Sequence, residues 1–214
     1  MKNKRKNLII TGTGFCIAFV VWTLLIKFVD VQPLGVNGTD IGFATVNARF
    51  HSLTGVNMIL YNITDWFGLI PLIVCMIFGA VGFIQLVKRK SLFKVDFDIV
   101  VSGIYYVIVV VFYLIFELYP INLRPILING IAEASYPSST TLLVLTVMPT
   151  LVSLTVQRLK SKNAKTIIRY ATAVFCLFMI IGRVISGVHW ITDIIGSVFL
   201  STGLFCLYKA MNEK

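Results

Sequence analysis

The run Gly182-Arg183-Val184-Ile185-Ser186-Gly187-Val188-His189-Trp190-Ile191-Thr192-Asp193 sets an arginine, a histidine and an aspartate between two hydrophobic stretches, in a chain with only two histidines. Ionisable residues are costly near lipid, so a cluster of them at a membrane boundary points to function. His189 and Asp193 stand four residues apart and share a face if a helix begins near His189. A carboxylate bonded to one ring nitrogen fixes the tautomer and leaves the other nitrogen free to attack phosphorus. Arginine holds phosphate through paired N–H donors and neutralises the charge that builds in the transition state. Arg183, His189 and Asp193 together therefore suit phosphoryl chemistry on a lipid, with His189 as nucleophile.

Two other stretches carry polar residues that fit the same chemistry. One is Arg124-Pro125, and the other is Pro137-Ser138-Ser139-Thr140-Thr141, which runs directly into an apolar segment. Serine and threonine suit helix N-caps, and the free amides of a helix N-terminus form an anion site. Taken alone, Ser138, Ser139 and Thr140 read most simply as the cap of the following helix, and Arg124 as an interfacial arginine. Taken with Arg183 and His189, they become candidates for holding a phosphate.

These residues must be positioned by membrane-spanning elements. The 214 residues are 57% hydrophobic and 13% charged, against about 25% charged in soluble domains. Six spans are expected near residues 8–28, 67–87, 98–118, 139–156, 167–185 and 191–210, each long enough to cross the hydrocarbon core. The fold class is therefore all-α, a polytopic membrane protein. Residues 8–28 follow a basic N-terminus, but no Ala-x-Ala site follows them, so they read as a retained anchor and not as a signal peptide. Residues 29–66 form the longest polar connection; residues 41–66 within it suit either an amphipathic interfacial helix or a loop packed on the spans. Cys16, Cys75, Cys176 and Cys206 lie inside proposed spans without CxxC spacing, and read as small buried apolar residues.

The net charge of +10 is distributed unevenly. Lys2, Lys4, Arg5, Lys6, Lys88, Arg89, Lys90, Lys94, Arg158, Lys160, Lys162, Lys165, Arg169, Lys209 and Lys214 all fall on one side of the proposed topology. The positive-inside rule puts that side, with both termini, in the cytoplasm, and the candidate site on the outer face. The basic clusters are topology signals that also meet anionic lipid heads, and they argue against nucleic acid as a partner. Two histidines and few carboxylates assemble no convincing metal set, so no metal is expected.

At this point the pattern resembles the type 2 phosphatidic acid phosphatase (PAP2) superfamily, in its membrane lipid phosphatase branch, over residues 65–210. The family's third motif, Ser-Arg-x5-His-x3-Asp, is matched by Arg183, His189 and Asp193, with Gly182 in place of serine. The first, Lys-x6-Arg-Pro, is matched by Arg124-Pro125, with Glu117 in place of lysine. The second, Pro-Ser-Gly-His, is matched by Pro137 and Ser138, with Ser139 and Thr140 in place of glycine and histidine. The resemblance implies a six-helix bundle in which His189 is the nucleophile, Asp193 its orienter, and Arg124 and Arg183 the phosphate clamp. It implies one membrane domain over residues 1–214, with residues 8–28 and 29–66 as an added anchor helix and outer loop. It also implies hydrolysis of a lipid phosphate at a plasma membrane, without cofactor.

The histidine missing at Thr140 is the family's general acid, a group that typically contributes about 10²–10⁴-fold in rate. Three readings follow. The substrate is a diphosphate, such as a polyprenyl diphosphate, whose leaving phosphate has a second pKa of about 6 and needs little protonation. Or another outer-face group, Glu133 or His51, supplies the proton. Or the protein is a catalytically inactive relative that binds lipid phosphates. A phosphoryl transferase would use the same phosphohistidine with an acceptor other than water.

Overall fold

A computed structural model describes residues 2–213, so Lys214 lies outside the described residues. Eight α-helices follow in order: α1 Lys2–Phe28, α2 Ala44–Thr54, α3 Met58–Phe67, α4 Leu69–Arg89, α5 Phe97–Leu118, α6 Ser139–Val156, α7 Lys162–Ile185 and α8 Ile191–Asn212. Among the described residues six helical stretches are long and apolar enough to cross a membrane, with α3 and α4 forming one of them. The protein is an all-helical multi-pass membrane protein. Among the described residues the only β pairings are isolated bridges, such as Leu123 with Ala134.

The spans carry apolar residues on all sides, the expected pattern when both lipid and neighbouring helices are apolar. Outer faces present Ile17, Val20 and Leu24 on α1, Met76 and Phe83 on α4, and Val107 and Val111 on α5. α6 and α8 are the most enclosed and form the centre. Val144, Val147, Leu154, Leu200 and Leu204 meet Phe78, Ile99 and Val109 there. α1 packs most extensively on α8. Its Phe19 stacks on Tyr136, its Thr23 hydroxyl bonds to the Tyr136 hydroxyl at 2.7 Å, and Trp22 donates to the Thr192 carbonyl at 3.1 Å.

Residues 41–66 fold as two helices, α2 and α3, with the chain turning between them at Gly55, where φ is +60°. Asn57 caps α3 by accepting from the Leu60 amide at 2.9 Å. α3 then leads through Gly68 straight into α4, so part of the outer connection belongs to the second span. At the opposite end, Arg158 pairs with Asp98 at 2.7 Å and Asp96 at 3.6 Å, while Arg89 pairs with Asp96 at 2.8 Å. This cluster ties together the ends of α4, α5 and α6.

Candidate active site

Arg183 sits two residues before the end of α7, and His189 lies in the short turn that leads into α8. That turn is tight because Gly187 takes φ +67°, and a Cβ there would lie 1.7 Å from the Gly55 carbonyl. Only glycine lets the α2–α3 corner approach this closely. Asp193 stands in the first turn of α8, where its Oδ2 accepts the Trp190 amide at 2.9 Å and so closes the helix start. Trp190 is fixed in turn by donating to the Leu123 carbonyl at 2.8 Å.

The imidazole is buried and both nitrogens are engaged. Nε2 lies 3.2 Å from Arg183 Nη2. Nδ1 lies 3.1 Å from the Ser135 hydroxyl, 3.2 Å from the Ser135 carbonyl and 3.8 Å from Asp193 Oδ2. The Ser135 hydroxyl donates to that same Oδ2 at 2.5 Å. Asp193 therefore reaches His189 chiefly through Ser135. Burial, Arg183 and Arg124 together hold the His189 pKa well below the usual histidine value. The ring stays neutral, the form in which Nε2 can act as a nucleophile.

Arg183 is 0% exposed. Its contacts are sparse for a buried cation. Nη1 donates to the Thr64 hydroxyl at 3.4 Å and pairs with Asp65 at 3.6 Å, and its Nε has no partner. The guanidinium lies over the Tyr61 ring, 5.0 Å from its centre. Arg124 lies over the same ring at 5.6 Å, donates to the Tyr61 hydroxyl at 3.3 Å, and pairs with Glu133 at 3.1 Å. Such cation–π contacts are worth about 0.5–2 kcal/mol, well short of the several kcal/mol that burying a charge costs. The two arginines are thus gathered around one tyrosine with unfilled capacity to bind an anion. Asp65 and Glu133, with side chains 55% and 35% exposed, stand at the rim as their counter-charges.

Sequence reasoning brings together Arg124, Arg183, His189 and Asp193, and the structure sets them around one another. Ser138, Ser139 and Thr140 are placed differently. Ser138 is fully buried, its amide donating to the Asp193 carbonyl at 3.3 Å and its hydroxyl bonding to Thr141 at 3.1 Å. It joins the start of α6 to α8. Ser139 begins α6 and lines a cleft with Tyr113, Glu117 and Ala134. Thr140 faces Gly68 at the α3–α4 junction. None of the three side chains hydrogen-bonds to the arginines or to His189. Three residues that do touch this cluster, Tyr61, Thr64 and Ser135, are absent from the sequence expectation, as is Asp65. Among the described residues no three of His, Cys, Asp and Glu group closely enough to hold a metal ion.

The family model of the PAP2 superfamily matches residues 100–214, more than half of the chain. The chain belongs to the PAP2 superfamily. Its fold is similar to the crystal structure of a transmembrane PAP2-type phosphatidylglycerolphosphate phosphatase from Bacillus subtilis. The TM-score is 0.67 over 94% of this chain and 96% of that one, at 16% identity. At that identity the likeness establishes the fold. Curated proteins yield no match.

Two departures from the PAP2 motifs have a visible setting. A Cβ on Gly182 would come within 2.6 Å of Thr64 Cγ2, so glycine replaces the family's serine where α3 packs directly on α7. Glu117, in the lysine position, is exposed near the end of α5 and makes no ion pair with Arg124 or Arg183. Its charge is not directed at either guanidinium.

Proposed function

We propose that this PAP2 protein hydrolyses a lipid phosphate through a phosphohistidine on His189, with a diphosphate as the favoured substrate. The reading is carried by one observation: the Nε2 of a neutral, buried histidine faces a buried arginine whose donors are only partly used. Phosphate entering between them would take up the Arg183 donors and meet Nε2 in line. Arg183 and Arg124 would hold the equatorial oxygens. Nε2 would form the N–P bond as the P–O bond to the leaving group breaks, and water would then cleave the N–P bond to release phosphate. Ser135 and Asp193 would keep Nδ1 protonated so that Nε2 presents its lone pair.

Thr140 supplies no acidity comparable to histidine, which favours a leaving phosphate over a leaving alkoxide. A polyprenyl diphosphate fits this requirement. Residues 1–214 would act as one membrane domain, with the basic helix ends in the cytoplasm and the His189 site on the outer face of a plasma membrane.

The test is phosphate release in detergent from matched polyprenyl mono- and diphosphates, phosphatidic acid and phosphatidylglycerol phosphate. Diphosphate should be preferred, and His189→Ala should remove all release. Equal rates on mono- and diphosphate would refute the diphosphate preference. Absence of release from every substrate, with binding retained, would make the protein a lipid-phosphate binder.

A further inference from the structure

At the end of the bundle opposite His189, residues of α1, α6, α7 and α8 line an open cavity of about 400 Å³. His189 precedes the first turn of α8 and Asn212 ends it, so the two places are separated by a 22-residue helix, about 33 Å at 1.5 Å per residue. Three cations from three helices line this cavity: Lys4 of α1, Arg169 of α7 and Lys209 of α8. The one carboxylate among its lining residues, Glu213, bonds to Lys4 at 2.5 Å. Arg169 and Lys209 have no ion-pair partner among the described residues. Like charges brought to one cavity repel, and an anion between them relieves that cost.

Asn212, one of the lining residues, carries a polar atom that needs a donor. Asn212 Nδ2 donates to the Tyr208 carbonyl at 3.2 Å, and this bond orients the amide. Its Oδ1 is then buried without a partner, a deficit of about 1–3 kcal/mol for a neutral acceptor. A phosphodiester alone offers no hydrogen to it. A headgroup hydroxyl does. Val152 and Val156 of α6 give the wall an apolar strip, beside Ser153, Gln157 and Tyr208. Cationic groups at the helix ends beside an apolar strip match the layering of a phospholipid at a membrane surface.

We infer that this cavity binds one anionic glycerophospholipid whose headgroup carries a free hydroxyl. Arg169 and Lys209 hold the phosphodiester, the hydroxyl donates to Asn212 Oδ1, and the acyl chains lie along Val152 and Val156. The Lys4–Glu213 pair closes the side where α1 meets the end of α8, and withholds a third cation from the lipid.

Native mass spectrometry of the purified protein in a neutral detergent tests this, with short-chain phosphatidylglycerol, phosphatidylmethanol, phosphatidylcholine and inorganic phosphate as probes. One phosphatidylglycerol should bind in preference to phosphatidylcholine, and phosphatidylmethanol, which lacks the hydroxyl, should bind more weakly. The double variant Arg169→Gln, Lys209→Gln should weaken phosphatidylglycerol binding by at least about tenfold, the equivalent of one charge-assisted hydrogen bond. Asn212→Leu should erase the preference over phosphatidylmethanol. Glu213→Gln, which frees Lys4, should strengthen binding and serves as the deciding variant if the double variant does not fold. Unchanged binding in the double variant, or no gain with Glu213→Gln, would overturn the proposal. Equal binding of phosphatidylcholine would do the same. Inorganic phosphate competing as well as the lipid would replace the lipid by a free anion. Loss of binding in His189→Ala would move the lipid to the other end of the bundle.

Discussion

Replacing Ser135 by alanine isolates the contact on which the orientation of His189 depends. The serine hydroxyl spans 2.5 Å to Asp193 Oδ2 and 3.1 Å to His189 Nδ1, whereas the direct carboxylate–imidazole separation is 3.8 Å. Without the hydroxyl, Nδ1 keeps the Ser135 carbonyl at 3.2 Å, and Oδ2 keeps only the Trp190 amide. Asp193 Oδ1 already has no partner, so the carboxylate becomes badly under-satisfied. Removing a hydrogen bond to a buried charged group costs about 1.5–3 kcal/mol of stability. Loss of a group that orients a catalytic histidine costs about 10–100-fold in rate, equivalent to about 1.4–2.7 kcal/mol of barrier. The assay is steady-state phosphate release, with a denaturing quench to count phosphohistidine. The expected result is a lower kcat, an unchanged KM and slower formation of the phosphoenzyme. If Ser135 works through Asp193, adding Ser135→Ala to Asp193→Asn should cost little more than Asp193→Asn alone. Fully additive losses, or a wild-type kcat in a folded Ser135→Ala protein, would refute the relay.

Restoring the family's serine side chain, or placing alanine, at Gly182 should destabilise the protein by about 1–3 kcal/mol through overpacking against Thr64. Thr64→Ser, which removes the offending methyl and keeps the hydroxyl toward Arg183, should recover most of that loss in thermal unfolding. Glu133→Gln should lower monophosphate turnover far more than diphosphate turnover if Glu133 replaces the missing acid. An equal change on both substrates would leave it only the role of counter-charge to Arg124. Because the His189 pKa lies well below the unfolded value, the unfolded chain takes up a proton that the folded site refuses. The stability from this difference is fully present above about pH 6.5 and declines below it, by up to about 1.4 kcal/mol per pH unit, until the folded pKa is reached. Unfolding curves from pH 7.5 to 5 should therefore fall more steeply for wild type than for His189→Gln, and parallel curves would contradict the neutral buried ring.

The six spans were legible because each is a long apolar run bounded by charge, and lipid imposes that pattern on every residue it touches. The clustering of Arg183, His189 and Asp193 was legible because all three fall within one short stretch between two spans. Tyr61, Thr64 and Asp65 were hidden by distance along the chain: Thr64 meets Arg183 across 119 residues. Their segment reads equally as helix or loop. Ser135 gives no local signal either, since a serine before Tyr136-Pro137 looks like any turn residue until Asp193 and His189 close around it. Ser138 shows the converse. Its motif position suggests the phosphate site, but its hydrogen bonds run to Thr141 and to the α8 backbone. Glu117 could not be weighed from sequence because its effect depends entirely on where the end of α5 points.

The tyrosine shared by both arginines lies at position 61, outside the residues that the family model matches. So do Thr64 and Asp65, and so does α1, which braces Tyr136. The candidate site is therefore divided between a motif-bearing half and an unmarked half of the same chain. The motif-bearing half supplies the candidate reacting groups; the unmarked half supplies the ring under both arginines and the Asp65 counter-charge to Arg183. On the proposed function, changes confined to the first hundred residues should retune affinity and substrate choice while every motif residue stays as it is. Grafting residues 58–68 between relatives then becomes a means of exchanging specificity without touching the proposed nucleophile.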